Sequence, residues 1–226
     1  MFFAQYQSLL DLGPKYIGKK LTVNQLTGIV RRNIKNPDVR TLSSRSPSIK
    51  KNIVSVAGIF DPEEMDDKEP CIGVILFFNP KQKTIKITKK FWKAFAFETA
   101  EIYTHEMIHQ YQHVTRLKKN ISGCKEFKSH AVDPKIREDQ EYFGNYDEID
   151  AYAFGVVASM VVHKRSLDQI PVWLVYQSLF VDEPAILRKL DREINKYLNR
   201  LEYQDDQTSV RPRKPRARSI SRRHNK

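Results

Sequence analysis

The chain has 226 residues, of which 40% are hydrophobic, 11% aromatic and 29% charged, which excludes general disorder and is enough for one full-sized domain with a substantial core. Its formal net charge is +12, but eight of those cations fall in the acid-free stretch from Val210 to Lys226, which leaves +4 on residues 1–209. Two cysteines, Cys71 and Cys124, exclude a disulfide framework and suit a reducing compartment.

The residues from Met1 to Tyr6 lack the basic start of a secretory signal. No apolar run reaches the roughly 18 residues of a spanning helix. The expectation is a soluble protein with no membrane partner. Phe2, Phe3, Tyr6, Leu9 and Leu10 recur at helical spacing and stop at Gly13-Pro14. A second helix is expected from Thr22 to about Asn36, then a loop rich in Ser, Arg and Pro to Lys51. Strand signals follow at Asn52–Phe60, Cys71–Phe78 and Thr84–Thr88, the last two joined by the hairpin-like Asn79-Pro80-Lys81-Gln82-Lys83.

With Thr88 as N-cap, the period turns helical over residues 89–118. A polar segment, Lys119–Asn145, separates it from an apolar helix over Ile149–Val162 and a short one over Val172–Phe180. A long amphipathic helix capped by Asp182 then buries Ile186, Leu190, Ile194 and Leu198 on one face. Residues 1–205 read as one domain. Residues 206–226 read as a disordered basic tail, with residues 211–226 fit to bind nucleic acid in a salt-dependent way.

The helix over 89–118 contains His105-Glu106-Met107-Ile108-His109. Histidines at i and i+4 stand about 40° apart around a helix and about 6 Å along it, so their imidazoles converge on one tetrahedral zinc. Glu106 shares their face, and one residue from His105 it is placed to take a proton from a zinc-bound water rather than to ligate. A catalytic zinc needs a third protein ligand. His113 stands about 12 Å from His105 along the helix, too far for one ion. His130 and Cys124 lie in the polar segment and could fold back. Glu148 is favoured, because Ala151 and Gly155 on its helical face allow close packing against the histidine helix. Asp147 or Asp150 would then accept the N–H of a ligand histidine. Tyr146 and Tyr152 flank the ligand as hydroxyl donors or packing residues, and Thr84–Thr88 is a candidate edge strand for an extended peptide.

The pairing of HEMIH with Glu148-Ile149-Asp150-Ala151 resembles gluzincin-type zincin metallopeptidases, and the EIDAYA segment is similar to predicted metallopeptidases of tailed bacteriophages. HEMIH also resembles SprT-like proteases that act on DNA-bound proteins, with Cys124 near the position of their third ligand. The first resemblance implies an α+β zincin-like fold: a small mixed or antiparallel sheet of about three strands on the HExxH helix, then a helical second half. It implies one catalytic Zn2+ on His105, His109 and Glu148, Glu106 as general base, and a protein or peptide substrate. It also implies a cytoplasmic or virion-associated setting, and membership of a virion or other protein assembly. A different class of function is a nucleoprotein component with a structural or vestigial zinc site and a nucleic-acid-binding tail.

Overall fold

Thr22 and Thr88 each turn an extended segment into a helix by offering a side-chain oxygen to a backbone N–H in the first turn. The computed structural model describes residues 2–66, 69–121, 123 and 126–208. Helices α1 (Phe2–Asp11) and α2 (Gly13–Tyr16) lead into β1 (Lys20–Thr22), and Thr22 with Gln25 forms a reciprocal capping box at the head of α3 (Val23–Asn33). Strands β2 (Val39–Arg45) and β3 (Val54–Phe60), the short α4 (Pro62–Asp66), β4 (Ile72–Phe78) and β5 (Thr84–Lys86) precede α5 (Lys89–Lys118). The second half is helical: α6 (Pro134–Gly144), α7 (Tyr146–His163), α8 (Pro171–Leu179) and α9 (Pro184–Thr208).

The class is α+β. Among the described residues a mixed three-stranded sheet has the order β2-β4-β3, with β2 parallel and β3 antiparallel to β4. The apolar run of β4 is its centre, as befits a strand buried on both faces. Two expectations change here. The stretch read as a loop contains β2, whose side chains are exposed except for Thr41 and the half-buried Val39 and Arg40, so it carries no apolar alternation. The β4–β5 pair is not a hairpin: both edges of β4 are taken, and β5 pairs antiparallel with β1 in a separate ribbon.

Other differences lie in the helical half. The polar segment contains α6, begun by Asp133, whose side chain accepts from the Lys135 N–H, and by Pro134 in the first turn. The last helix begins at Pro184 rather than at an Asp182 cap, and it continues to Thr208. Residues 209–226, most of the expected tail, lie outside the described residues. No helix among the described residues is long and apolar enough to cross a membrane.

Helix α5 packs against the sheet, α1 and α7. Its first half packs Trp92, Phe95 and Tyr103 on the sheet core of Val56, Val74, Leu76 and Phe78. Another face takes Phe2, Tyr6 and Leu9 of α1, with Trp92 Nε1 donating to the Leu9 carbonyl at 2.9 Å. The helical half has its own core of Ile149, Val156, Tyr176, Phe180 and Leu190.

Candidate metal centre

Two neighbours fix the middle of α5. Strand β3 runs alongside it: the Val56 N–H donates to Glu98 Oε1, Gly58 abuts Glu106, and the Phe60 ring lies 5.7 Å from that of His113. Helix α7 crosses it antiparallel: Gly155 meets Glu101, Gln112 meets Asp150, and Arg116 bonds Asp147 at 2.5 Å. A Cβ on Gly155 would stand 2.7 Å from Glu101 Oε1, so the small residue expected to permit close helix packing does so. That register brings Glu148 opposite the two histidines.

His109 Nε2 lies 3.0 Å from His105 Nε2 and 3.4 Å from Glu148 Oε1, and His105 Nε2 lies 3.3 Å from Glu148 Oε2. Donor atoms about 2.0–2.1 Å from one tetrahedral zinc stand about 3.3–3.4 Å from each other. The two His–Glu separations, one to each carboxylate oxygen, have the size of such an edge, and the His–His separation of 3.0 Å is slightly shorter. Glu148 Oε2 is buried without a hydrogen bond of good geometry, although a histidine nitrogen stands beside it. The donor set, its spacing and this unsatisfied oxygen all fit a divalent cation. His105, His109 and Glu148 are the one such group of potential ligands among the described residues.

Electrostatics hold the cluster together. Burial raises the Glu148 pKa, but the close contacts and charge of His105 and His109 outweigh it and lower the value to about 2. Burial likewise pulls His109 down, while Glu148 and then Gln112 and Glu106 lift it above the usual histidine range. Glu106 is raised, chiefly by burial, against the pull of both histidines.

An open pocket of about 310 Å³ includes these four side chains, with Gly58, Ile59 and Phe60 on one wall and Tyr142, Asn145 and Asp147 on the other. Glu106 reaches it because Gly58 has no side chain: a Cβ there would stand 2.6 Å from Glu106 Cδ. Strand β3 is the free edge of its sheet. Val56, Gly58 and Phe60 alternate with the residues bonded to β4, so their peptide groups face outward; Glu98 takes that of Val56, and those of Gly58 and Phe60 face the pocket. The edge beside the site is therefore β3. Thr84–Thr88, expected in that role, instead begins with β5, which pairs with β1, and none of its residues lines the pocket.

The remaining candidates are dispersed. His113 lies outside the pocket lining, against Phe60, with Nε2 buried and unpartnered. His130 lines a separate cavity with Gln140, Ser178 and Leu179. Cys124 is outside the described residues. Neither Asp147 nor Asp150 touches a ligand histidine. Gln112 intervenes: its Oε1 is 3.0 Å from His109 Nδ1, and its Nε2 donates to the Asp147 carbonyl and to Asp150 Oδ2, each at 3.1 Å. Tyr152 packs its ring on His105 at 4.8 Å, and Tyr146 packs under the Lys189 ammonium.

Sequence reasoning missed Tyr142, on α6, whose hydroxyl stands 3.5 Å from that of Tyr152 at the pocket rim. Burial, then the contact with Tyr152 and the charge of Glu148, raise its pKa, so it keeps its proton and can donate. The Asp133-Pro134 start signal could have revealed its helix. Comparisons with protein-family models, with curated proteins and with solved structures found no match.

Proposed function

We propose that this chain is a zinc-dependent metallopeptidase of zincin-like fold, with one catalytic zinc held by His105, His109 and Glu148. The observation that carries this reading is the convergence of the two Nε2 atoms, 3.0 Å apart, on the Glu148 carboxylate, whose Oε2 lies 3.3 Å from His105 and Oε1 3.4 Å from His109, beside a pocket that also contains Glu106. Zinc in that position supplies Lewis acidity toward a peptide carbonyl and toward the water that attacks it.

The chain's own residues do the rest. Glu106 accepts the proton of the attacking water at its carboxylate and delivers it to the leaving amine nitrogen. Tyr142 donates its O–H toward the carbonyl oxygen as that oxygen gains charge. The outward N–H and C=O groups of Gly58 and Phe60 pair with an extended substrate, which lays its peptide bond across the pocket. Gln112 holds the His109 ring so that Nε2 faces His105 and Glu148, where it would ligate a bound zinc.

The test is elemental zinc analysis of the purified chain together with hydrolysis of an unfolded protein substrate. About one zinc per chain is expected, and Glu106→Gln should keep that zinc while losing roughly 10²–10⁴-fold in rate. A chain that takes up no zinc, or a fully active Glu106→Gln, would refute the reading.

A further inference from the structure

The charge of the folded body is not evenly spread. From Leu12 to Pro37 and from Pro70 to Phe97 the chain contains no Asp or Glu. The fold gathers these two acid-free stretches at one place, because β1 pairs with β5 and α2 packs beside the start of α5, with Gly13 and Tyr16 against Trp92. Lys15, Lys19, Lys20, Lys86, Lys89 and Lys90 are all exposed there. Among the described residues none of the six forms an ion pair, whereas elsewhere Arg40 pairs with Glu64, Arg116 with Asp147 and Lys196 with Glu193.

Two of these placements oppose folding. Lys20 and Lys86 are register partners, so the ribbon holds two ammonium stems about 5 Å apart at Cβ on one face, where like charges destabilise. Lys89 and Lys90 occupy the first turn of a helix of 30 residues, at the end whose dipole already repels cations. An anionic partner would relieve both conflicts at once.

We infer that this face, the β1–β5 ribbon with the first turn of α5, binds the phosphodiester backbone of a nucleic acid. Register places Thr84 beside Lys86 on the same exposed face, where its hydroxyl can donate to a phosphate oxygen, while the neighbouring Thr22 hydroxyl is engaged in the α3 capping box. An anionic membrane needs apolar side chains to enter it. In residues 12–22 and 81–93 only Ile17, 40% exposed, is an exposed large apolar side chain. The metal-ligand group is 16 residues further along α5, about 24 Å away, so nucleic acid on this face leaves the pocket open. The face is independent of the basic stretch beyond Val210 and of the peptidase reading.

The test compares full-length chains, so that the basic C-terminal stretch is common to all. Binding of a short labelled DNA duplex of mixed sequence is followed by fluorescence anisotropy across a salt series. Combining Lys20→Gln, Lys86→Gln, Lys89→Gln and Lys90→Gln should make the slope of log K against log salt shallower by roughly 3 to 4. A charge-matched control, Lys118→Gln, Lys119→Gln, Lys135→Gln and Lys164→Gln, should change it by less than about 1. All eight positions are exposed, and circular dichroism checks that each chain stays folded. Wild-type affinity and slope in the first variant would overturn the inference. So would tighter binding to phosphatidylserine vesicles than to the duplex at equal salt.

Discussion

The Nδ1 atom of His109 lies 3.0 Å from Oε1 of Gln112, one helical turn further along α5. Because Gln112 Nε2 donates to Asp150 Oδ2 and to the Asp147 carbonyl, the amide cannot turn over without losing both bonds. Its oxygen therefore faces His109, which puts the proton on Nδ1 and leaves the Nε2 lone pair for a metal. Gln112→Met keeps the bulk and removes the acceptor. Zinc affinity should fall about 10–100-fold, measured by competition with a chelating dye. In the metal-free chain at alkaline pH, nitrogen NMR should show His109 moving from the Nδ1–H to the Nε2–H tautomer. Unchanged tautomer and affinity would remove Gln112 from this role.

Gly58 and Glu106 pose a steric question. The strand passes so near α5 that a Cβ at Gly58 would stand 2.5 Å from Glu106 Cγ and 2.6 Å from Cδ. Gly58→Ala must push the carboxylate aside or lift β3 from the helix, at a cost of about 1–3 kcal/mol. The proposed ligands lie on α5 and α7 and should stay in place. Zinc content should therefore remain near that of the unaltered chain while hydrolysis falls as it does in Glu106→Gln. Loss of zinc in Gly58→Ala would mean that the strand supports the ligands themselves.

The meeting of His105, His109 and Glu148 was legible because its parts obey local rules. An i, i+4 histidine pair needs only a helix, and Ala151 and Gly155 announce a close helix crossing near Glu148. The long helix and its Thr88 cap were legible for the same reason, as was the apolar run of β4. What escaped depends on partners remote in sequence. Strand β2 is held by the backbone of β4, and its exposed Ser43, Ser44 and Arg45 leave no pattern to read. The three residues of β5 follow β4 like a hairpin arm, yet both edges of β4 were claimed by earlier strands, so β5 found β1. Helix α6 is mostly polar, with five of its eleven residues charged, and its packing on α7 and α8 is what carries Tyr142 to the pocket.

Tyr142 supplies the hydroxyl at the pocket rim. The residue is half exposed, so removing its oxygen leaves no cavity. Tyr142→Phe should fold normally and bind zinc normally. If the hydroxyl donates to the oxygen that gains charge during peptide cleavage, kcat should fall about 10²–10³-fold with little change in KM. Equal loss in KM alone would instead make the tyrosine a substrate-binding wall.

Glu101 makes stability depend on pH in an unusual direction. It lies one turn before His105, packed against Gly155 of α7, with Glu98 on its own helix and Tyr152 on α7 as titratable neighbours. Burial, with a smaller push from Glu98, raises its pKa to about 7. In the unfolded chain the carboxyl titrates at its ordinary value near 4.5. Between those two values the folded state holds a proton that the unfolded state has lost, so stability falls as pH rises through the window. The full effect is about 3 kcal/mol at most, and Glu98, also raised by burial, adds to it in the same direction. Glu101→Gln mimics the protonated acid at every pH. Urea midpoints taken from pH 5 to pH 8 with saturating zinc should thus lie closest near pH 5 and diverge above it, with the variant the more stable chain. A wild-type chain whose stability rises relative to the variant over that range would show that Glu101 folds in its ionised form.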